Sequence, residues 1–155
     1  MKLRFFHRNK FRFFFVFIIC SFFLINEGFS QNIDSQSKLS SVAFVQGAEA
    51  FKKGEWISSV FLFRKALTYS ENYNAETLYM LITAEMYAGE YKSAFNDCEQ
   101  FIQNFYDSPY ISYILYHKGR ALFYLGEYEK AILVLSDYCH QYPEHEMYAA
   151  ALFWI

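Results

Sequence analysis

The sequence predicts an all-α chain, an α-solenoid of antiparallel helix pairs with about three repeated units and the first helix of a fourth. Three observations predict it. A Gly-Glu-aromatic triplet recurs as Gly54-Glu55-Trp56, Gly89-Glu90-Tyr91 and Gly126-Glu127-Tyr128, at spacings of 35 and 37 residues. Small and apolar residues follow each triplet at helical offsets. Glycine and proline number only six and two in 155 residues, too few for a chain of many tight β turns.

The first half of each unit ends at the triplet glycine, which supplies a left-handed cap. Seven residues before it stand Gly47 and Gly119, small enough for two helix backbones to approach, with Ile82 in the middle unit. The second half begins at the aromatic. Three residues on come Ser59, Ala94 and Ala131; four further come Phe63, Cys98 and Leu135; three beyond those come Ala66, Phe101 and Tyr138. These offsets share one helix face, so they are expected to be core. Asn74 offers an N-cap ahead of Ala75, Ser108-Pro109 offers a cap and a first helical residue, and Pro143 closes the third unit. Helices are expected at about 39–53, 56–70, 75–88, 91–105, 109–125, 128–141 and 145–155.

Upstream, Met1–Arg12 carries five basic residues and no acid, and Phe13–Ile25 is apolar apart from Ser21. Gly28 and Ser30 then place small residues three and one before Gln31. This is the pattern of a secretory leader over residues 1–30 cut before Gln31, followed by a flexible polar tail at 31–38 and the repeat domain at 39–155. An uncleaved anchor is the rival reading, but a run of 13 residues is short for a span. Lipidation at Cys20 is disfavoured because Ile19, not a small residue, precedes it.

Without the leader, nine basic and fifteen acidic side chains remain, a net charge of −6. No basic run survives, which argues against a nucleic-acid partner. No stable membrane span is expected after cleavage. Cys98 and Cys139 could pair in an exported chain, although two partly buried thiols are preferred.

The Gly-Glu-aromatic turn, the small residue three positions on, the apolar site beyond and Pro143 resemble the tetratricopeptide repeat family. The third unit, Gly119-Arg120-Ala121-Leu122-Phe123-Tyr124-Leu125-Gly126-Glu127-Tyr128-Glu129-Lys130-Ala131, matches best. Unit one departs at Ser59 and Glu71, the middle unit at Ile82 and Cys98. The linkers Phe101-Ile102-Gln103-Asn104-Phe105-Tyr106-Asp107-Ser108-Pro109-Tyr110 and Tyr142-Pro143-Glu144-His145-Glu146-Met147-Tyr148 are similar to inter-repeat segments of bacterial envelope repeat proteins, the outer-membrane assembly lipoproteins and the coordinator of the Tol–Pal system. That resemblance implies a non-catalytic scaffold of the periplasm or outer-membrane-facing envelope, holding a protein or peptide in a concave groove.

By the same resemblance, Tyr79, Thr83, Tyr87, Tyr116, Arg120 and Tyr124 are the candidate groove residues. Phe44, Phe51, Met86 and Phe123 occupy neighbouring offsets and are expected to be inter-repeat packing. No phosphate loop, nucleophile elbow or paired-carboxylate pattern is present, so no enzyme and no cofactor are expected. Cys139, His140 and His145 have no recognised metal-ligand spacing, and both histidines are expected to be solvated. The pattern breaks off on Leu152-Phe153-Trp154-Ile155, the first helix of a fourth unit. Two expectations follow: this stretch is the N-terminal accessory part of a larger exported protein, an enzyme being one option, or the uncapped helix docks on another copy or partner.

Overall fold

A computed structural model describes residues 35–69 and 74–155. Among the described residues seven helices run in order: α1 (35–52), α2 (Trp56–Tyr69), α3 (Ala75–Ala88), α4 (Tyr91–Asn104), α5 (Ile111–Tyr124), α6 (Tyr128–Gln141) and α7 (Tyr148–Phe153). They pair as α1/α2, α3/α4 and α5/α6, with α7 opening a fourth unit. The proposed leader lies outside the described residues.

Each pair turns on its triplet. Gly54, Gly89 and Gly126 have φ of 76°, 78° and 79°. A Cβ at Gly89 or Gly126 would touch nothing, so the backbone conformation, not space, selects glycine there. The following glutamate donates its backbone N–H back across the turn, Glu90 to the Glu85 carbonyl at 2.9 Å and Glu127 to the Leu122 carbonyl at 3.0 Å. Its own carbonyl then accepts the first bond of the next helix, from Ala94 or Ala131 at 3.0 Å. Neither Glu90 nor Glu127 caps with its side chain. Asn74 does: its Oδ1 accepts the Thr77 N–H at 2.7 Å.

The expected core face is the observed one. Ser59, Ala94 and Ala131, then Phe63, Cys98 and Leu135, then Ala66, Phe101 and Tyr138 are all buried. Full burial of a side chain the size of Phe63 or Leu135 stabilises by about 1.5–3 kcal/mol. Where two units carry alanine, the first carries Ser59, and its hydroxyl donates to the Gly47 carbonyl at 3.0 Å. The buried oxygen is thereby satisfied. Gly47 and Gly119 mark the close helix approaches. A Cβ at Gly119 would sit 2.5 Å from Leu135 Cγ, and one at Gly47 would sit 3.0 Å from the Phe63 ring.

Three helix starts differ from expectation. Residues 35–38, read as polar tail, are helical. They are exposed, so their composition reflects a solvated first turn rather than a loop. α5 and α7 begin later than expected, at Ile111 and Tyr148. Ser108 and Pro109 form a turn, in which Ser108 Oγ accepts the Tyr110 N–H at 3.3 Å and the Ser108 carbonyl accepts the Ile111 N–H at 3.1 Å.

Sequential helices pack against one another, and α3 also touches α5. Among the described residues the outer helices α2, α4 and α6 make no contact of comparable extent with each other. α3 and α5, the first helices of their units, therefore lie on the inside of the curve.

The candidate groove on the inner helices

Tyr79, Thr83 and Tyr87 recur every four residues on α3, and Tyr116, Arg120 and Tyr124 do the same on α5. Each triplet thus follows one stripe of an inner helix. The six side chains behave differently.

Tyr87 and Tyr124 are exposed. Each lies flat on the turn aromatic of the preceding unit. Tyr87 stacks on Trp56 at 4.7 Å, and Tyr124 on Tyr91 at 4.2 Å with an interplanar angle of 7°. The same junction thus occurs twice. Phe51 meets Trp56 edge-on at 5.0 Å, and Phe123 meets Tyr128 at 5.2 Å. Phe51, Met86 and Phe123 are packing residues, with Met86 buried and the two phenylalanines partly so. Phe44 packs on Phe63 at 5.7 Å.

Tyr79 is half-buried and stacks on Tyr110 at 4.7 Å. Burial raises its phenol above the ordinary tyrosine value. Thr83 turns its hydroxyl back to the Tyr79 carbonyl at 2.8 Å, which occupies it within α3. Tyr116 is only 7% exposed and belongs to a cluster with Leu135, Tyr138 and Ala151. It is a wall of the core more than a surface.

Arg120 is the charge of this face. Its guanidinium carbon lies 5.5 Å from the Tyr116 ring and 5.3 Å from the Trp154 ring. Tyr124 in turn meets Trp154 edge-on at 5.4 Å. Among the described residues no carboxylate lies within ion-pair distance of Arg120, and its Nε is buried without a hydrogen-bond partner. His117, one turn back, is buried and pulled down to about 3, first by burial and then by the Arg120 charge. It is therefore neutral at ordinary pH.

The sequence reading passed over one polar feature and misplaced another. Glu85 on α3 is fully buried and pairs with Arg64 of α2, with Glu90 3.6 Å from the same guanidinium. Burial, reinforced by Asp97, pushes the Glu85 carboxyl up to about 9, against the pull of Arg64. Its position matches Ala50 and Leu122 of the other units, so an acid there was the available signal. The other is His145, expected to be solvated. It sits between α5 and α6, with Ser112 Oγ 2.9 Å from Nε2 and the Tyr138 hydroxyl 2.7 Å from Nδ1. His140 is exposed. Among the described residues no group of three His, Cys, Asp or Glu is arranged to hold a metal ion. Cys98 and Cys139 carry free thiols in separate clusters. No described helix is long and apolar enough to cross a membrane.

Residues 113–145 match the family described as tetratricopeptide repeat. The chain has the tetratricopeptide-repeat fold. Solved structures agree with it at low sequence identity. The Arabidopsis OM64 TPR domain superposes with a TM-score of 0.64 at 18% identity, over 75% of this chain and 93% of that one. The second TPR domain of human RPAP3, in complex with the HSP70 peptide SGPTIEEVD, gives 0.62 at 18%, over 77% and 94%. The first TPR of Spaghetti (RPAP3), bound to the HSP90 peptide SRMEEVD, gives 0.63 at 18%, over 75% and 89%. No curated protein matches the sequence. The family match falls on the third unit, the one that carries Gly126.

Proposed function

We propose that this tetratricopeptide-repeat chain is a non-catalytic scaffold that holds an extended segment of a partner protein against its inner helices. The observation that carries this reading is Arg120. A cation set over the Tyr116 and Trp154 rings, with no carboxylate partner among the described residues, is suited to an anionic group brought by a ligand. The half-buried Tyr79 and exposed Tyr87 and Tyr124 extend the same face with amphipathic rings. Two structural neighbours were solved with peptides that carry acidic ends, which supports a segment of that chemistry here.

We place its action in a bacterial envelope, on the strength of the basic start, short apolar run and small residues before Gln31. N-terminal sequencing of the chain recovered from an envelope fraction tests this part, and a first residue of Gln31 is the expected result. The binding reading is tested by capture from that fraction. Arg120→Gln should lose the partner retained by wild type and by Glu129→Gln, a control at an exposed position of α6. Equal retention by all three would sink the Arg120 site.

A further inference from the structure

The joint before α7 repeats the joint before α5, 37 residues later, with one chemical change. In the earlier joint the Phe105 carbonyl accepts the Ser108 N–H at 3.0 Å, and the Ser108 carbonyl accepts the Ile111 N–H at 3.1 Å. In the later one the Tyr142 carbonyl accepts the His145 N–H at 3.2 Å, and the His145 carbonyl accepts the Tyr148 N–H at 2.9 Å. Inside the first turn, Ser108 Oγ accepts the Tyr110 N–H at 3.3 Å. Inside the second, His145 Nδ1 accepts the Met147 N–H at 3.2 Å. A hydroxyl cannot gain a proton in this range of chemistry, whereas an imidazole can.

The contacts fix the neutral form. A backbone N–H only donates, so Nδ1 facing Met147 carries no proton. The proton is then on Nε2, which donates to Ser112 Oγ at 2.9 Å. Tyr138 is pushed up to about 12 by burial, remains a phenol, and donates to Nδ1 at 2.7 Å. A second proton on the ring would set Nδ1–H against two donors. Tyr138 can rotate its hydroxyl, but the Met147 N–H cannot turn.

We propose that His145 is an acid-sensitive latch: protonation at Nδ1 breaks its turn, frees α7 and withdraws Trp154 from Arg120. The coupling is direct, because Met147 and Trp154 pack on the same Tyr116–Leu135–Tyr138 cluster. The groups facing the ring are few. Tyr113 of α5 lies edge-on at 4.6 Å with its hydroxyl on Glu146, Tyr138 and Tyr142 come from α6, and Glu144 and Glu146 flank the residue in the linker. The latch does not depend on what the groove holds.

Trp154 is the reporter, in a Trp56→Phe background that leaves it the sole tryptophan. One series from about pH 8 to about pH 4 follows its emission and the imidazole NMR signals of His145 together. The expected result is a ratio of docked to released α7 that falls about tenfold as His145 takes its proton, the scale of one buried bond lost. His145→Asn keeps a neutral acceptor near Nδ1, and its Trp154 signal should stay flat. If that variant releases α7 at every pH, His145→Ser, which copies Ser108, replaces it with the same expectation. Three results overturn the latch: a His145 ring that protonates while Trp154 does not move, a ring that stays neutral throughout, or a neutral variant that titrates as wild type does.

Discussion

Replacing Gly119 by alanine measures how tightly the third pair is closed. The new Cβ would stand 2.5 Å from Leu135 Cγ and 2.6 Å from Cδ2, with Cδ1 at 3.2 Å. Leu135 is fully buried, and Cγ is not the free end of a side chain, so the clash must move α5 away from α6. Overpacking of this kind costs about 1–3 kcal/mol, and so close a contact belongs at the upper end. Alanine recovers about 1 kcal/mol of helix propensity at the same position. The net expectation is a loss of about 2 kcal/mol. For a domain of this size that is a fall in Tm of roughly 10 °C, read by calorimetry or by circular dichroism. Gly47→Ala, whose Cβ meets the Phe63 ring at 3.0 Å, should cost less. The cycle with Leu135→Ala isolates the cause. With the leucine cut back, Gly119→Ala should turn neutral or stabilising. A Gly119→Ala protein as stable as wild type, or equally destabilised with Leu135 removed, would refute the close-approach account.

Other expectations concern charges, caps and α7. Glu85 has a folded-state value of about 9 against 4.5 unfolded, so its contribution is full below about pH 4.5 and is lost as pH rises toward 9. Glu85→Gln still accepts from Arg64, and in urea titrations it should gain on wild type by up to about 1.4 kcal/mol per pH unit across that window; a constant difference would count against a buried protonated acid. Asn74→Ala removes the acceptor of the Thr77 N–H and should cost about 1 kcal/mol in the same titrations, an unchanged midpoint being the contrary result. Leu152, Phe153 and Ile155 are exposed on or beside α7, so sedimentation should show concentration-dependent association that Phe153→Ser weakens; a clean monomer throughout would exclude docking through that helix.

The fold was legible because its determinants are local and repeated. A left-handed glycine, a small residue at a helix crossing and an Asn cap each leave a residue-type signature, and three copies in register reinforce one another. The groove was less legible because lining depends on what the next unit places opposite. Tyr116 and Tyr79 occupy equivalent positions, yet Tyr116 is buried while Tyr79 is half-buried on Tyr110. Trp56 and Tyr91 reach the tyrosines of the following unit, pairings that lie far apart in sequence. Glu85 and His145 are single exceptions within the repeat. A pattern averaged over units hides such residues, although each had an odd chemical type for its position. The late start of α7 follows from the linker turn, in which the His145 side chain takes part.

Site-specific photo-crosslinking in intact cells tests the central claim most directly. A photoreactive residue at Tyr87 or Tyr124, on inner helices, is compared with one at Phe61 or Leu133, exposed on the outer α2 and α6. The scaffold reading predicts a discrete protein adduct from the inner positions, lost when Arg120→Gln is added. Adducts only from Phe61 or Leu133, or inner adducts indifferent to Arg120, would contradict it.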